Sequence, residues 1–538
     1  MMFGPGGGSM LTPVGVHRRR ARRIGPAAVL AVLALVAAGV AVAIVLTSRD
    51  DGRRAAAQRF VSAWTRGDTG AMWNALDDDA KSKYGERRFT ALVRSANRAA
   101  GVRSVSAPKV GKLQGDHVSV PVTVRTATFG VLRGTISLPV AGSGSSAGVA
   151  WNPSLRLPGL RAGEAVSRRE GPAPARASIL AADGTPLDAD ALGASIAGSE
   201  GPPPTGLQRL YDARVGGHPA MRLLFGKRVV ASTKAVRGRT LRTTIRPGLQ
   251  RAATAALGSK LGGVAVVRPR DGAVLALAGL AVSAPQPPGS TFKIITLSGA
   301  LQNGIAKPTS SYPIRTYAVL DGTKLRNASN EACGGSLTNA FVVSCNSVFA
   351  PLGAKLGAKR LVATARRFGF DEDISNRAPA VKPSRISDPS GLPDSLAVGA
   401  AAIGQDRDLA TPLQMASVGA TIAMGGRRAR LRVATVDKPH RTRVVSRRVA
   451  RQVRAMMLDV VRSGTGTAAA IPGVEVAGKT GTAELRPNST DPKDADAWFV
   501  AFAPASHPKV AVAVMVVGAG FGGTAAAPIA RAVLQAAL

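Results

Sequence analysis

A hydroxyl and an amine three positions apart at a helix start are the minimal parts of a nucleophilic acyl-transfer site. Gly289-Ser290-Thr291-Phe292-Lys293 supplies both. Pro287-Pro288-Gly289 forbid a helix upstream, and the Pro-free run from Ser290 to Gln302, followed by Gly304, predicts a helix from about Ser290. Residues i and i+3 share a helix face, so Lys293 lies under Ser290. Phe292, Ile294, Ile295, Leu297 and Leu301 surround that helix with apolar side chains, which predicts a buried element and a dry site. Serine is a poor nucleophile until a base within hydrogen-bond reach takes its proton. Lys293 can be that base only when neutral, a state favoured by burial and by a second positive charge nearby. The other reading keeps Lys293 charged and lets it only position Ser290.

Two further clusters follow. Ser344-Cys345-Asn346 interrupts a helical pattern running from Leu337 to Leu356, and Lys479-Thr480-Gly481-Thr482 follows the alternating Val474 and Val476. Singly, each has an ordinary explanation: a Ser/Asn turn between helices, and a strand edge blunted by lysine. Together, in the order S-x-x-K, S-x-N, K-T-G, they resemble the motif set of penicillin-binding proteins and class A β-lactamases. The chain is similar to a class B penicillin-binding protein of actinobacterial kind, a monofunctional D,D-transpeptidase, because nothing upstream reads as a glycosyltransferase domain.

The resemblance implies roles. Ser290 is the nucleophile and Lys293 its base; Ser344 relays a proton to the leaving amine and Asn346 holds the substrate amide. The Lys479 charge with the Thr480 and Thr482 hydroxyls suits a substrate carboxylate, Gly481 lets backbone approach backbone, and edge-strand amides extend the peptide. Backbone N–H groups of Ser290 and Thr482 are the implied oxyanion hole. The implied partners are peptidoglycan stem peptides, a D-Ala-D-Ala donor and an amine acceptor, together with β-lactams, the membrane, and a polytopic glycosyltransferase or division proteins. The implied roles extend to cell division and cell shape.

At 538 residues and 45% hydrophobic content the chain accommodates two or three domains. Its formal charge of +39 suits acidic lipid headgroups or other polyanions. Nucleic acid is set aside, since the arginines are scattered and no helix-turn-helix or aromatic RNA-binding signature accompanies them. Five histidines without an H-E-x-x-H, and Cys333 and Cys345 as the only cysteines, predict no metal and no cofactor. Whether those cysteines pair depends on Cα atoms lying within about 7 Å, which spacing does not determine.

In chain order, residues 1–23 are a basic cytoplasmic tail, and 24–46 run apolar without a charge, long enough for a membrane core of about 30 Å. The arginine flank puts the N-terminus inside and the rest outside, on a single-pass, uncleaved anchor in the cell membrane. Residues 53–160 read as two amphipathic helices (Phe60, Val61, Trp64; then Phe89, Leu92, Val93, Ala96) followed by strands alternating at Val118 to Val124 and Ile136 to Val140. This α+β, cone-like order is similar to the nuclear-transport-factor-like domain of methicillin-resistance-type proteins. Residues 161–245 read as an elongated pedestal or dimerisation-like linker. Residues 246–538 form the penicillin-binding, serine β-lactamase-like transpeptidase domain: an antiparallel sheet flanked by helices, plus an all-α lobe. Its first hairpin, Val264 to Val267 and Ala273 to Ala278, is expected mid-sheet because both strands are continuously apolar. Pro351 is expected in the first turn of a helix beginning near Ser347.

The fold class is therefore multidomain α/β, and the expected reaction is cross-linking of stem peptides through a Ser290 acyl-enzyme. The alternatives are a D,D-carboxypeptidase or β-lactamase, in which water replaces the amine, and a non-turnover β-lactam sensor or division scaffold. Ser-Cys-Asn in place of Ser-Asp-Asn speaks against a class A β-lactamase.

Overall fold

A computed structural model describes residues 26–405, 407–486 and 491–538; the basic tail at 1–23 lies outside them. Among the described residues no helix is long and apolar enough to cross a membrane, and the expected anchor at 24–46 is only partly covered by that description. The chain divides into two compact units: residues 1–172 with 219–234, and 173–218 with 235–538.

In the first unit the helix Pro26–Arg66 buries Phe60, Val61 and Trp64. Where the sequence suggested two helices there are four, because Asp68 and Asp77 each cap a new one by accepting from Ala71 N (2.9 Å) and Ala80 N (2.8 Å). The last, Glu86–Ala100, buries Phe89, Val93 and Ala96. The strands His117–Thr126 and Val131–Ala141 pair antiparallel, and their buried positions, Val118, Val120, Val122, Val124 and Ile136, Leu138, Val140, follow the period of two. Trp151 closes the core edge-on to Phe89 (4.7 Å) and Tyr84 (5.1 Å).

Residues 161–245 are shared between the units. Val166–Glu170, Met221–Phe225 and Arg228–Ser232 form a sheet whose Leu223 and Phe225 join the first core. Ile179, Leu187, Ile196, Leu207, Val215 and Leu241 belong instead to the core of the second unit. Short apolar runs bury themselves against whichever larger core lies nearest, so a stretch without a core of its own is divided.

The second unit is built on a five-stranded antiparallel sheet: β1 (Gly262–Arg268), β2 (Ala273–Gly279), β3 (Ala477–Glu484), β4 (Ala495–Ala503) and β5 (Val510–Val516), in the order β2-β1-β5-β4-β3. The β1–β2 hairpin therefore lies at one end rather than in the middle. β2 is fully apolar because its outer edge is covered: Val274 N donates to Arg432 O (2.9 Å), Arg246 N to Leu275 O (2.9 Å), and the Gln250 side chain pairs with Leu277 through both backbone groups (2.5 and 2.7 Å). Helices Pro247–Leu257 and Ala527–Ala537 cover one face, and Pro412–Ala423 the other. At the opposite end β3 is an edge strand, and it carries the K-T-G residues.

Helix Lys293–Gln302 is buried through Leu301 and packs against Asn346–Leu356, Ala358–Phe368 and Arg447–Ser463. Phe292 meets Phe370 edge-on at 5.5 Å beside it. Pro351 lies well inside the helix Asn346–Leu356, not in its first turn. The packing of Val348, Phe349, Leu352 and Leu356 offsets the hydrogen bond that proline removes.

Candidate active site

Ser290 sits in a 3-10 turn, Gly289–Phe292, and the α-helix begins at Lys293. The tighter start follows from Pro287-Pro288 and from two anchors: Gly289 N donates to Gly404 O (2.9 Å) and Thr291 Oγ1 to Pro288 O (2.6 Å). With three residues per turn, a 3-10 segment stacks i directly on i+3, which aligns Ser290 with Lys293 more closely than an α-turn does. Gly289 has φ +51°, and a Cβ there would come within 2.5 Å of Thr482 O, so only glycine lets this turn lie against β3. In an antiparallel strand the N–H and C=O of one residue point the same way. The Thr482 N–H therefore faces the Ser290 turn along with its carbonyl.

The second cluster forms a strained corner. Ser344 has φ +63°, a left-handed conformation that costs a β-carbon residue about 1–2 kcal/mol. Lys293 Nζ donates to Ser344 O (2.7 Å) and Asn346 Oδ1 (2.6 Å), and Lys479 Nζ donates to Ser344 Oγ (2.8 Å). Cys345 is disulfide-bonded to Cys333, with Cα atoms 5.8 Å apart, which ties this corner to the strand Cys333–Ser336.

Two residues that the motifs do not contain complete the arrangement. Asn327, buried, accepts from Ser347 N (2.7 Å) and donates to Arg315 O (2.7 Å) and Glu331 O (2.8 Å). It caps helix Asn346–Leu356 from a separate segment, where Cys345 makes no side-chain cap. The backbone carbonyl of its neighbour Arg326 accepts from Asn346 Nδ2 (2.8 Å), so both ends of that amide are engaged and its orientation is fixed. The second is Thr465, whose hydroxyl meets Thr480 Oγ1 at 2.6 Å. An Asn among polar loop residues gives no sequence signal; Gly464-Thr465-Gly466 does, as a residue flanked for close backbone approach.

Both lysine side chains are fully buried. Each ammonium nitrogen lies over a phenylalanine ring, Lys293 over Phe349 (5.7 Å) and Lys479 over Phe341 (5.6 Å). Burial pushes Lys479 down to about 7. Burial first, and the Lys479 charge second, pushes Lys293 well below the usual lysine range. A neutral amine has two N–H bonds and one lone pair. Ser344 O and Asn346 Oδ1 take both hydrogens of Lys293, which leaves its lone pair to accept a proton. Among the described residues no hydrogen bond joins Lys293 to the Ser290 hydroxyl in this resting state.

On β3, Lys479 Nζ also donates to Thr480 O (3.0 Å), and Gly481 packs where a Cβ would lie 2.9 Å from Pro288 O, Thr291 and Trp498. Hydrogen bonds thus join Lys293, Ser344, Asn346, Lys479 and Thr480, while Gly481 and Thr482 meet the turn that carries Ser290.

Residues 262–535, roughly half the chain, match the model of the penicillin binding protein transpeptidase domain. The chain belongs to that family. Residues 53–164 match the NTF2-like N-terminal transpeptidase domain, in agreement with the nuclear-transport-factor resemblance. The chain is 34% identical over 401 residues to the peptidoglycan D,D-transpeptidase PbpA of Mycobacterium tuberculosis, covering 62% of this chain and 79% of the relative. It is 35% identical over 404 residues to PbpA of Mycolicibacterium smegmatis, with the same two coverages. Among solved structures, the penicillin G acyl-enzyme complex of penicillin-binding protein A from M. tuberculosis aligns with TM-score 0.58 and 30% identity, over 68% of this chain and 99% of that one.

Proposed function

We propose that this member of the family is a peptidoglycan D,D-transpeptidase acting through a Ser290 acyl-enzyme. Its named relatives are peptidoglycan D,D-transpeptidases, and a related structure is a penicillin G acyl-enzyme. The observation that carries the chemistry is Ser344 Oγ and its carbonyl held between two buried lysines of depressed pKa, of which Lys293 lies one turn after Ser290.

In this reading neutral Lys293 takes the Ser290 proton as Oγ attacks the carbonyl between the two D-alanines of a donor stem peptide. The developing oxyanion meets the N–H groups of Ser290 and Thr482. Ser344, receiving a hydrogen bond from Lys479, passes its own proton to the departing D-alanine nitrogen as the C–N bond breaks. Asn346 holds the donor amide, and Lys479, Thr480 and Thr482 take the terminal carboxylate, with Gly481 admitting close backbone approach along the β3 edge. An acceptor amine then attacks the ester, returns a proton through the same groups and frees Ser290. A β-lactam acylates the same serine and has no separate leaving amine to lose.

D-alanine release from a synthetic donor, measured with and without an acceptor amine, tests this directly. Acceptor-dependent cross-linked product supports transpeptidation, release unaffected by acceptor means a carboxypeptidase, and no release at all refutes an enzyme.

The membrane reading is part of the same proposal. Leu30, Leu33, Leu35, Val36, Val40 and Val42 are exposed apolar residues on one helix, following the arginine-rich tail. Extraction of the full chain from membranes by detergent but not by alkaline salt supports an uncleaved anchor; release by salt alone refutes it.

A further inference from the structure

Gly464-Thr465-Gly466 lies between the two walls of the site. Thr465 N is directed at Val342 O (3.4 Å), next to the Ser344 corner, while Thr465 Oγ1 is 2.6 Å from Thr480 Oγ1 on β3. The flanking glycine is required by this placement, since a Cβ at Gly464 would come within 2.7 Å of Val342 O. A third glycine, Gly523, leaves room on the other side, where a Cβ would approach Thr465 O at 2.4 Å. Thr480 is buried, whereas Thr465 is exposed. An unbroken row of polar atoms therefore runs from Lys293 Nζ through Ser344 Oγ, Lys479 Nζ and Thr480 Oγ1 to Thr465 Oγ1 at the surface, each step 3.5 Å or less.

We infer that Thr465 is a specificity-determining residue for the carboxylate end of the substrate. The inference rests on the acyl-transfer reading above and deepens it. Each hydroxyl carries one hydrogen, and a bond of 2.6 Å between two of them uses one. The pair therefore keeps one remaining O–H: that of Thr480 if Thr465 donates to it, whereas in the reverse order the Thr465 O–H turns to Val342 O (3.5 Å). In the first order the Thr480 O–H left for substrate is strengthened by its partner, and Lys479 beside it supplies positive charge. A carboxylate that accepts this O–H while facing Lys479 gains a charge-assisted bond that a neutral group in its place does not. Removing the Thr465 hydroxyl breaks the pair and leaves Thr480 to share its single hydrogen between internal and substrate acceptors.

The test compares benzylpenicillin, which has a free carboxylate, with its methyl ester on the full chain. Thr465→Val keeps the side-chain shape and removes the hydroxyl, and Thr465→Ser restores it. The expected result is a fall of about tenfold or more in the second-order acylation rate of Thr465→Val with benzylpenicillin, the scale of one hydrogen bond to a charged group. The ester rate stays at the wild-type value, and Thr465→Ser recovers the benzylpenicillin rate. An equal fall on both compounds would make Thr465 a structural residue of the corner and overturn the inference, as would no fall on either. Mass spectrometry of the wild-type adduct separates this from the underlying reading: if Ser290 is not the acylated residue, the acyl-transfer assignment itself is at fault.

Discussion

The two units bury different things. In the N-terminal unit the core is Phe60, Trp64, Phe89, Trp151 and the alternating valines, and among the described residues Arg156 is the one charged or polar side chain buried there. The transpeptidase unit buries Lys293 and Lys479 completely within one hydrogen-bonded network, and among the described residues neither lysine forms a salt bridge. Burying an ammonium is unfavourable unless it is paired or loses its proton. The second unit meets that cost with carbonyls, aromatic faces and lowered pKa values. A core of the first kind contributes stability, and one of the second kind lowers the pKa of the lysines it encloses.

Ser290→Ala breaks the contrast most completely, since no acyl adduct of benzylpenicillin should appear by mass spectrometry while the thermal midpoint stays near wild type. Lys293→Arg comes next. Arginine does not deprotonate in proteins, so a loss of roughly 10²–10⁴-fold in acylation is expected, the contribution of one general base. A variant that keeps wild-type acylation at equal thermal stability would return Lys293 to a purely positioning role.

Lys479→Arg is expected to lose about tenfold, since its charge survives while its geometry changes. It also sharpens the comparison through pH. With Lys479 near 7, the charge that faces a carboxylate is present below that pH and lost above it, so wild-type acylation by benzylpenicillin should decline as pH rises through about 7. In the proposed mechanism Lys293 acts in the opposite sense, becoming active as it loses its proton. Lys479→Arg should lack the alkaline decline, and stopped-flow rates across pH would show whether it does.

Asn327→Ala leaves Ser347 N–H without its cap, and should cost roughly 1–3 kcal/mol of stability with a smaller loss of acylation. Asn327→Asp keeps the accepting oxygen and should recover part of both. The smallest effect on chemistry is expected from the first unit. Phe89→Ala should destabilise it by roughly 3–5 kcal/mol by calorimetry, yet leave acylation by the folded protein unchanged within about twofold. A large loss of acylation there would show that the apolar unit takes part in the site.

Much of this was legible from local order. The period of two at Val118 to Val124, the stripe at Phe89, Val93 and Ala96, and the apolar envelope of the Ser290 helix are all set within a few residues, so the sequence displays them directly. The three motifs likewise picked out side chains that the structure brings together. Partnership across long separations was decided only by tertiary structure. Lys479 reaches Ser344 across 135 positions, and the burial that goes with that packing lowers a lysine expected to stay charged to about 7. The edge position of β3, the covered edge of β2, the left-handed Ser344, the disulfide, and the contributions of Asn327 and Thr465 all depend on which segments pack together. Apolar periodicity reports that a face is buried but not what lies against it, and the chemistry of this site is set by what lies against it.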